Sequence, residues 1–490
     1  MFLSCDSGEE PSDNELTSAS NEKEILNLVL ENNALEYETN ISGINITLKK
    51  QLPFGTQSVN IKSISLSDNA VANVTIGETI NALSTNYQIL VTAEDKSVKT
   101  YNLSFEFENE TFTVVEYAPA PISKNYNTPI LAHYMPWFQT PDVTGYWGAH
   151  WTMANRNPDT FLSNGQRDIA SHYYPLVEPY DSTDPDYLEY ALICMKLTGI
   201  DGILIDFYGT WNYNDYAQLL EASNAVIEMC TKVGLKYGIV YEDRTIESIL
   251  NQGYTGDKLD LAKADLKYMN DNYFNTDNYF RLDNFPVLLN FGPITLKSDT
   301  DWLNVFSSID TEIKFFPLAY HPSTYNLTSA TNGVYAWAGE VENNNLYNYA
   351  SQFEYTGGGA MFEFKDFYVE GGWGTSPLDI IPNRNGDLLR ETLNRSKDAS
   401  TDFIQLITWN DWGEGTAIEP SVEYQYQSLS IIQEFLQIDQ NVGDLELSVL
   451  LYKKRKEHKG KTLEYKKLDQ VFYYLISLQL DKARELLDEL

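Results

Sequence analysis

Eight short apolar runs, at 130–135, 202–207, 237–242, 287–291, 315–320, 334–338, 360–364 and 403–408, recur with amphipathic segments between them over roughly 310 residues. Strands that alternate with helices form parallel sheets, and eight such units indicate a (β/α)₈ TIM barrel. Two of the helices are legible. Asp184-Pro185 makes an N-cap and first-turn pair, followed by Leu188, Ala191, Leu192 and Met195 on one face, and Leu219, Leu220, Ser223, Val226 and Ile227 repeat that spacing. An insertion at 136–184, full of Trp, Tyr, His and Asn, follows the first run and is expected over the C-terminal mouth of the barrel.

At 490 residues the chain exceeds one ordinary domain, and its patterning divides it into five stretches. Residues 1–21 are polar and acidic, as a tether would be. Residues 22–112 alternate with period two, as in Ile44-Asn45-Ile46-Thr47-Leu48 and Tyr87-Gln88-Ile89-Leu90-Val91, with turn residues such as Pro53 and Gly55. That pattern predicts a small antiparallel β-sandwich. A linker with Pro119 and Pro121 spans 113–128, the barrel is expected over 129–438, and 439–490 reads as a helical appendage. The basic run Lys453-Lys454-Arg455-Lys456 within it suits a solvated helix face.

Seventy acidic against 34 basic residues give a formal charge of −36, which repels phosphate backbones and speaks against nucleic acid as a partner. The content of 43% hydrophobic and 13% aromatic residues argues for packed structure rather than acidic disorder. Three cysteines cannot make a disulfide framework. Cys194 and Cys230 sit in apolar helical patterns and read as buried small hydrophobes. Cys5 is different, because Phe2-Leu3-Ser4-Cys5 resembles the end of a bacterial lipoprotein signal in which the cysteine becomes lipidated.

If the barrel forms, the residues just after each strand converge on one site. The last run leads into Thr408-Trp409-Asn410-Asp411-Trp412-Gly413-Glu414-Gly415-Thr416, which sets two carboxylates three residues apart among aromatics and glycines. Glycoside hydrolysis needs such a pair, one carboxyl as proton donor and one as base or nucleophile. Trp409 and Trp412 would supply apolar walls that raise a carboxyl's pKa. The same spacing also suits Asp411 capping a helix with Glu414 facing water. The other ends offer Tyr134 and Trp137, Asp206 and Tyr208, Tyr241 and Glu242, His321, and Trp337, each an aromatic or hydrogen-bonding group of the kind a sugar site uses. Alternatives stay open at several of them: His133 and His321 also suit satisfied core histidines, and Asp206 a buried partner of Arg244 or Lys365. No H-E-x-x-H, paired-cysteine or D-x-D-x-D-G pattern points to a metal, and Gly357-Gly358-Gly359 lacks the Lys-Ser/Thr of a phosphate loop, so neither metal nor cofactor is expected.

His133-Tyr134-Met135-Pro136-Trp137, Gly199-Ile200-Asp201-Gly202-Ile203-Leu204-Ile205-Asp206 and Trp409-Asn410-Asp411-Trp412-Gly413-Glu414 resemble the glycoside hydrolase family 71 and family 99 group over roughly 129–437. Family 71 enzymes are inverting endo-α-1,3-glucanases whose motif carries Asp and Glu three apart, as Asp411 and Glu414 are. Family 99 enzymes are retaining endo-α-mannosidases with Glu at both positions, the first assisting attack by the sugar's own 2-hydroxyl and the second serving as general acid/base. Asp411 is one methylene shorter than the family 99 residue, which tilts the resemblance toward a family 71-like outcome. The stretch before the barrel resembles cadherin-like β-sandwich modules of Bacteroidetes surface lipoproteins.

The expectation is therefore a monomeric glycoside hydrolase of the bacterial outer membrane, held there only through a lipid on Cys5. It would cleave an α-linked oligo- or polysaccharide with Glu414 as general acid and Asp411 as base. The alternatives are a non-catalytic glycan-binding protein on a degenerate hydrolase barrel and, more weakly, a glycosyltransferase-like role, for which no nucleotide-sugar phosphate site is visible.

Overall fold

The computed structural model describes residues 19–84, 86–108 and 112–490; Cys5 lies outside them. The chain forms two compact units, one of residues up to Val114 with His458–Lys467, the other of Val115–Glu457 with Leu468–Leu490. The stretch expected as one helical appendage is thus divided between the two.

The first unit contains eight strands between Ile25 and Ser104, hydrogen-bonded into a single path. Pairing is antiparallel except where Asn45–Leu48 runs parallel to Val98–Ser104. Alternation decides which side chains go inside. Val59 and Ile61 of Ser58–Leu66, and Ile89 and Val91 of Tyr87–Thr92, are buried with Leu28, Leu30, Ile46, Ile80 and Leu103, while the residues between them are polar or face water.

In the second unit eight parallel strands appear in the expected order: β1 (Ile130–Tyr134), β2 (Gly202–Phe207), β3 (Lys236–Tyr241), β4 (Phe285–Asn290), β5 (Lys314–Pro317), β6 (Gly333–Tyr335), β7 (Tyr355–Met361) and β8 (Phe403–Ile407). Pairings run from β1 through β5 and from β6 through β8 back to β1. Between β5 and β6 a parallel bridge joins Leu318 to Tyr335, and the Ala319 amide donates to the Tyr335 carbonyl at 2.9 Å. The two-residue strand Arg281–Leu282 pairs antiparallel to β4, so the barrel-type sheet is mixed. Leu131, Leu204, Val240, Leu289, Phe316, Tyr335 and Phe403 fill its interior. Helix α1 (Pro185–Thr198) starts where Asp184 accepts the Asp186 amide, and ends at Gly199 with φ 85°, a left-handed position that glycine takes without strain.

β7 begins five residues before the expected start at 360, because Gly357, Gly358 and Gly359 lie inside the strand rather than before it. A Cβ on Gly357 would stand 2.4 Å from the Phe403 ring, and one on Gly358 would stand 2.8 Å from both Ser396 Oγ and Thr401 Oγ1. Close approach, not turn formation, is what these glycines provide.

Candidate active site

After β8 the chain turns sharply and is tied down on all sides. The Thr408 amide donates to the Thr416 carbonyl at 3.1 Å, and the Asp411 amide to Thr408 Oγ1 at 2.8 Å. Asn410 clamps the loop to the end of β1, accepting from the Met135 amide at 2.8 Å and donating to the Met135 carbonyl at 3.0 Å. Trp412 Nε1 donates to the Tyr180 hydroxyl at 3.0 Å, which donates in turn to the buried Glu419 at 2.7 Å. Gly415 has φ 66°, and a Cβ there would lie 2.5 Å from the Lys365 carbonyl oxygen, so only glycine fits.

This loop presents Asp411 and Glu414 to a cavity of about 580 Å³. Asp411 is 3% exposed, and its Oδ1 accepts the Glu414 amide at 2.9 Å. Glu414 is half-buried, and its Oε1 accepts the Tyr368 hydroxyl at 2.9 Å. Asp206 on β2 and Glu242 just after β3 add two further carboxyls, and Arg244 is the guanidinium among the described lining residues. Its Nε lies 3.8 Å from Glu242 Oε2, an ion pair too long for a hydrogen bond.

Burial dominates the electrostatics. It pushes Asp411 well above the usual carboxylate range, with the Glu414 charge adding, and it raises Glu414 against the opposing Tyr368 hydrogen bond. Asp206 is pushed up to about 8 by burial, with Arg244 opposing and Glu414 adding. Glu242 is raised well above its ordinary value by burial and then by Asp206. His133 and His150 are driven down to about 4 and about 3 by burial, so both stay neutral near pH 7. The cavity therefore holds carboxyl groups that keep protons toward neutral pH, beside aromatic walls.

Of the residues singled out in the sequence, Trp137, Asp206, Tyr208, Glu242, Trp337, Asp411 and Glu414 line this cavity together. The others do not. Tyr134 is fully buried and outside the cavity lining. Tyr241 is turned outward, donating to Asp265 Oδ2 at 2.8 Å. His321 accepts the Ser323 amide at 3.3 Å at the head of a short 3₁₀ turn. Trp409 and Trp412, expected as walls, are 0% and 1% exposed and pack behind the loop instead. The bonds of Asn410 to Met135 and of Trp412 to Tyr180 hold the tryptophans inward, and the carboxylates take the open side.

Further rings of the wall were not among the substrate-binding residues chosen from the sequence. His150 comes from the long insertion and stacks on Trp137, with ring centroids 3.9 Å apart and planes at 4°. His133 packs edge-on to Trp337 at 4.8 Å. Tyr368 and Trp373 belong to the segment after β7, which is fastened to the loop after β8 where the Lys365 amide donates to the Glu414 carbonyl and the Phe367 amide to the Gly413 carbonyl. The run Gly371-Gly372-Trp373-Gly374, a tryptophan bracketed by glycines, was the available signal for that segment.

No protein-family model matches the sequence, and no curated protein matches it. Solved structures resemble it in fold. The GH99 endo-alpha-mannosidase from Bacteroides thetaiotaomicron aligns at a TM-score of 0.50 and 15% identity, covering 64% of this chain and 98% of its own. A glycoside hydrolase-like protein aligns at 0.45 and 16% identity, covering 65% of this chain and 97% of its own.

Proposed function

We propose that the chain is a glycoside hydrolase acting on α-linked glycans of the α-glucan or α-mannan type, with Glu414 as general acid and Asp411 as base. The observation that carries this reading is the pair itself: two carboxyls from one rigid loop, both displaced upward in pKa, opening on an aromatic-walled cavity. Neighbouring carboxyls of this kind ionise in sequence and hold one proton between them. Cleavage requires that proton on Glu414, which gives it to the glycosidic oxygen while Asp411, oriented by the Glu414 amide, takes one from the attacking hydroxyl or water. Burial raises Asp411 as well as Glu414, so these roles require the bound sugar to place the shared proton on Glu414. Trp137, Tyr208 and Trp337 supply faces for sugar rings. The fold shared with a GH99 endo-alpha-mannosidase supports the same reading.

The test is a panel of α-glucans, α-mannans and host glycans, with NMR of the first-formed anomer. Glu414→Gln should lose about a hundredfold or more on natural glycans and keep activity on substrates whose leaving group needs no proton, whereas Asp411→Asn loses both. Full activity of Glu414→Gln on a natural glycan would end the assignment. The hydrogen bond from the Glu414 amide to Asp411 Oδ1 favours a second reading, a glycan-binding protein whose Asp411 serves its own loop. Wild-type binding without turnover across the panel selects it.

For the whole chain, we read the second unit as a closed (β/α)₈ barrel, residues 22–112 as a cadherin-like sandwich acting as a spacer, and Cys5 as the site of an outer-membrane lipid anchor. Cys5→Ala should abolish palmitate labelling in a Bacteroidetes host; retained labelling excludes the anchor.

A further inference from the structure

Asp206 and Glu242 stand out from the other two carboxyls of the cavity. Asp411 and Glu414 each accept a hydrogen bond from the protein on the side chain, whereas among the described residues none hydrogen-bonds the carboxyl of Asp206 or of Glu242. Both are at the ends of adjacent strands, β2 and β3, where the Glu242 amide donates to the Phe207 carbonyl at 3.0 Å. They are 3% and 5% exposed, with Asp206 Oδ1 and Glu242 Oε2 fully enclosed and without a hydrogen bond among the described residues, Arg244 reaching Glu242 Oε2 only at 3.8 Å. Buried carboxyls without donors are costly unless something else supplies them. Both residues line the cavity, so a donor to the second oxygen of each carboxyl, the one not enclosed, can come from there.

Charge narrows the choice of donor. Besides each other, the groups acting on the pair are Tyr208, Tyr335, Asp243, Asp411 and Glu414, all neutral or acidic, and the single cation Arg244, whose side chain is 60% exposed. A neutral hydroxyl would satisfy one lone pair and leave the two carboxyls protonated, with nothing gained from their acidity. An ammonium group donates several hydrogen bonds and supplies the missing positive charge.

We propose that the Asp206–Glu242 wall receives a protonated amine, so that the sugar unit seated there carries a free, unacylated amino group. This rests on the reading of the cavity as a glycan site. Binding of the ammonium ion displaces protons held by the two carboxyls, so complex formation releases protons near pH 7 and weakens toward pH 5.

Isothermal titration of the full chain with glucosamine against glucose, and mannosamine against mannose, tests it at pH 7 and pH 5, in two buffers of different protonation heat. The expected result is an amino sugar bound about tenfold or more tighter than its neutral counterpart, with proton release. That preference should vanish for N-acetylglucosamine and in Asp206→Asn and Glu242→Gln. The wild-type comparison needs no variant, so a variant that fails to fold leaves the outcome decided. Equal affinities within each pair overturn the amine assignment and leave the glycan reading standing. Binding of none of the sugars overturns both.

Discussion

A carboxyl buried without a hydrogen bond changes stability as well as chemistry. Asp206 moves from an ordinary 3.8 to about 8 on folding, so between those values the folded chain holds a proton that the unfolded chain has released. Its contribution therefore falls as pH rises from about 4 to 8. Asp206→Asn should flatten the decline in thermal stability between pH 5 and pH 8; an unchanged slope would show that the group is solvated. Tyr368 offers a second residue-level test. Its hydroxyl lowers the Glu414 pKa by hydrogen bonding the ionised carboxylate, so Tyr368→Phe should raise it. Since the acid must be protonated to act, the alkaline limb of the kcat profile should move to higher pH, while the loss of rate stays smaller than in Glu414→Gln. Neither group's titration was legible in the sequence, because burial and neighbours set it. The identity of Asp411, Glu414, Asp206 and Glu242 as cavity residues was legible, since each stands at a strand end.

At the scale of elements, seven of the eight strands were readable to within a few residues as apolar runs. β7 was displaced because its middle residues, Gly357, Gly358 and Gly359, are glycine, which carries no hydrophobic signal and is counted as loop. Its role is steric. Gly358→Ala would press a methyl against Ser396 and Thr401 and should cost about 1–3 kcal/mol in urea unfolding. A neutral result would mean that the helix bearing Ser396 yields. The loop after β8 shows the converse: its aromatics were legible as types but not as directions. Trp409 and Trp412 were expected to face sugar, yet the bonds of Asn410 to β1 and of Trp412 to Tyr180 turn them inward. Tyr368 and Trp373 reach the site through backbone bonds to that loop, a long-range pairing that no local periodicity announces.

Across the whole molecule, contacts far apart in sequence decide how the C-terminal helices are held. Arg455 donates from Nε and Nη2 to Glu189 on α1 at 3.1 and 3.0 Å, and from Nη1 to Asp469 at 2.6 Å. Glu189 is buried and pushed up to about 7 by burial, with Arg455 opposing. Arg455→Met would strand that carboxyl and should cost about 3–5 kcal/mol, read by denaturant unfolding; a loss below 1 kcal/mol would show Glu189 rehydrating. In the sequence Arg455 sat in a basic run that looked solvated, and burial of one member of such a run depends on what packs against it. The sequence by itself determined the order of strands and helices, the acidic balance and the pair of carboxylates three residues apart, because periodicity and spacing are local properties. Only the tertiary structure decided which aromatics face the cavity, which carboxyls lack partners and which protons are kept, because those depend on burial and on groups brought together from distant parts of the chain.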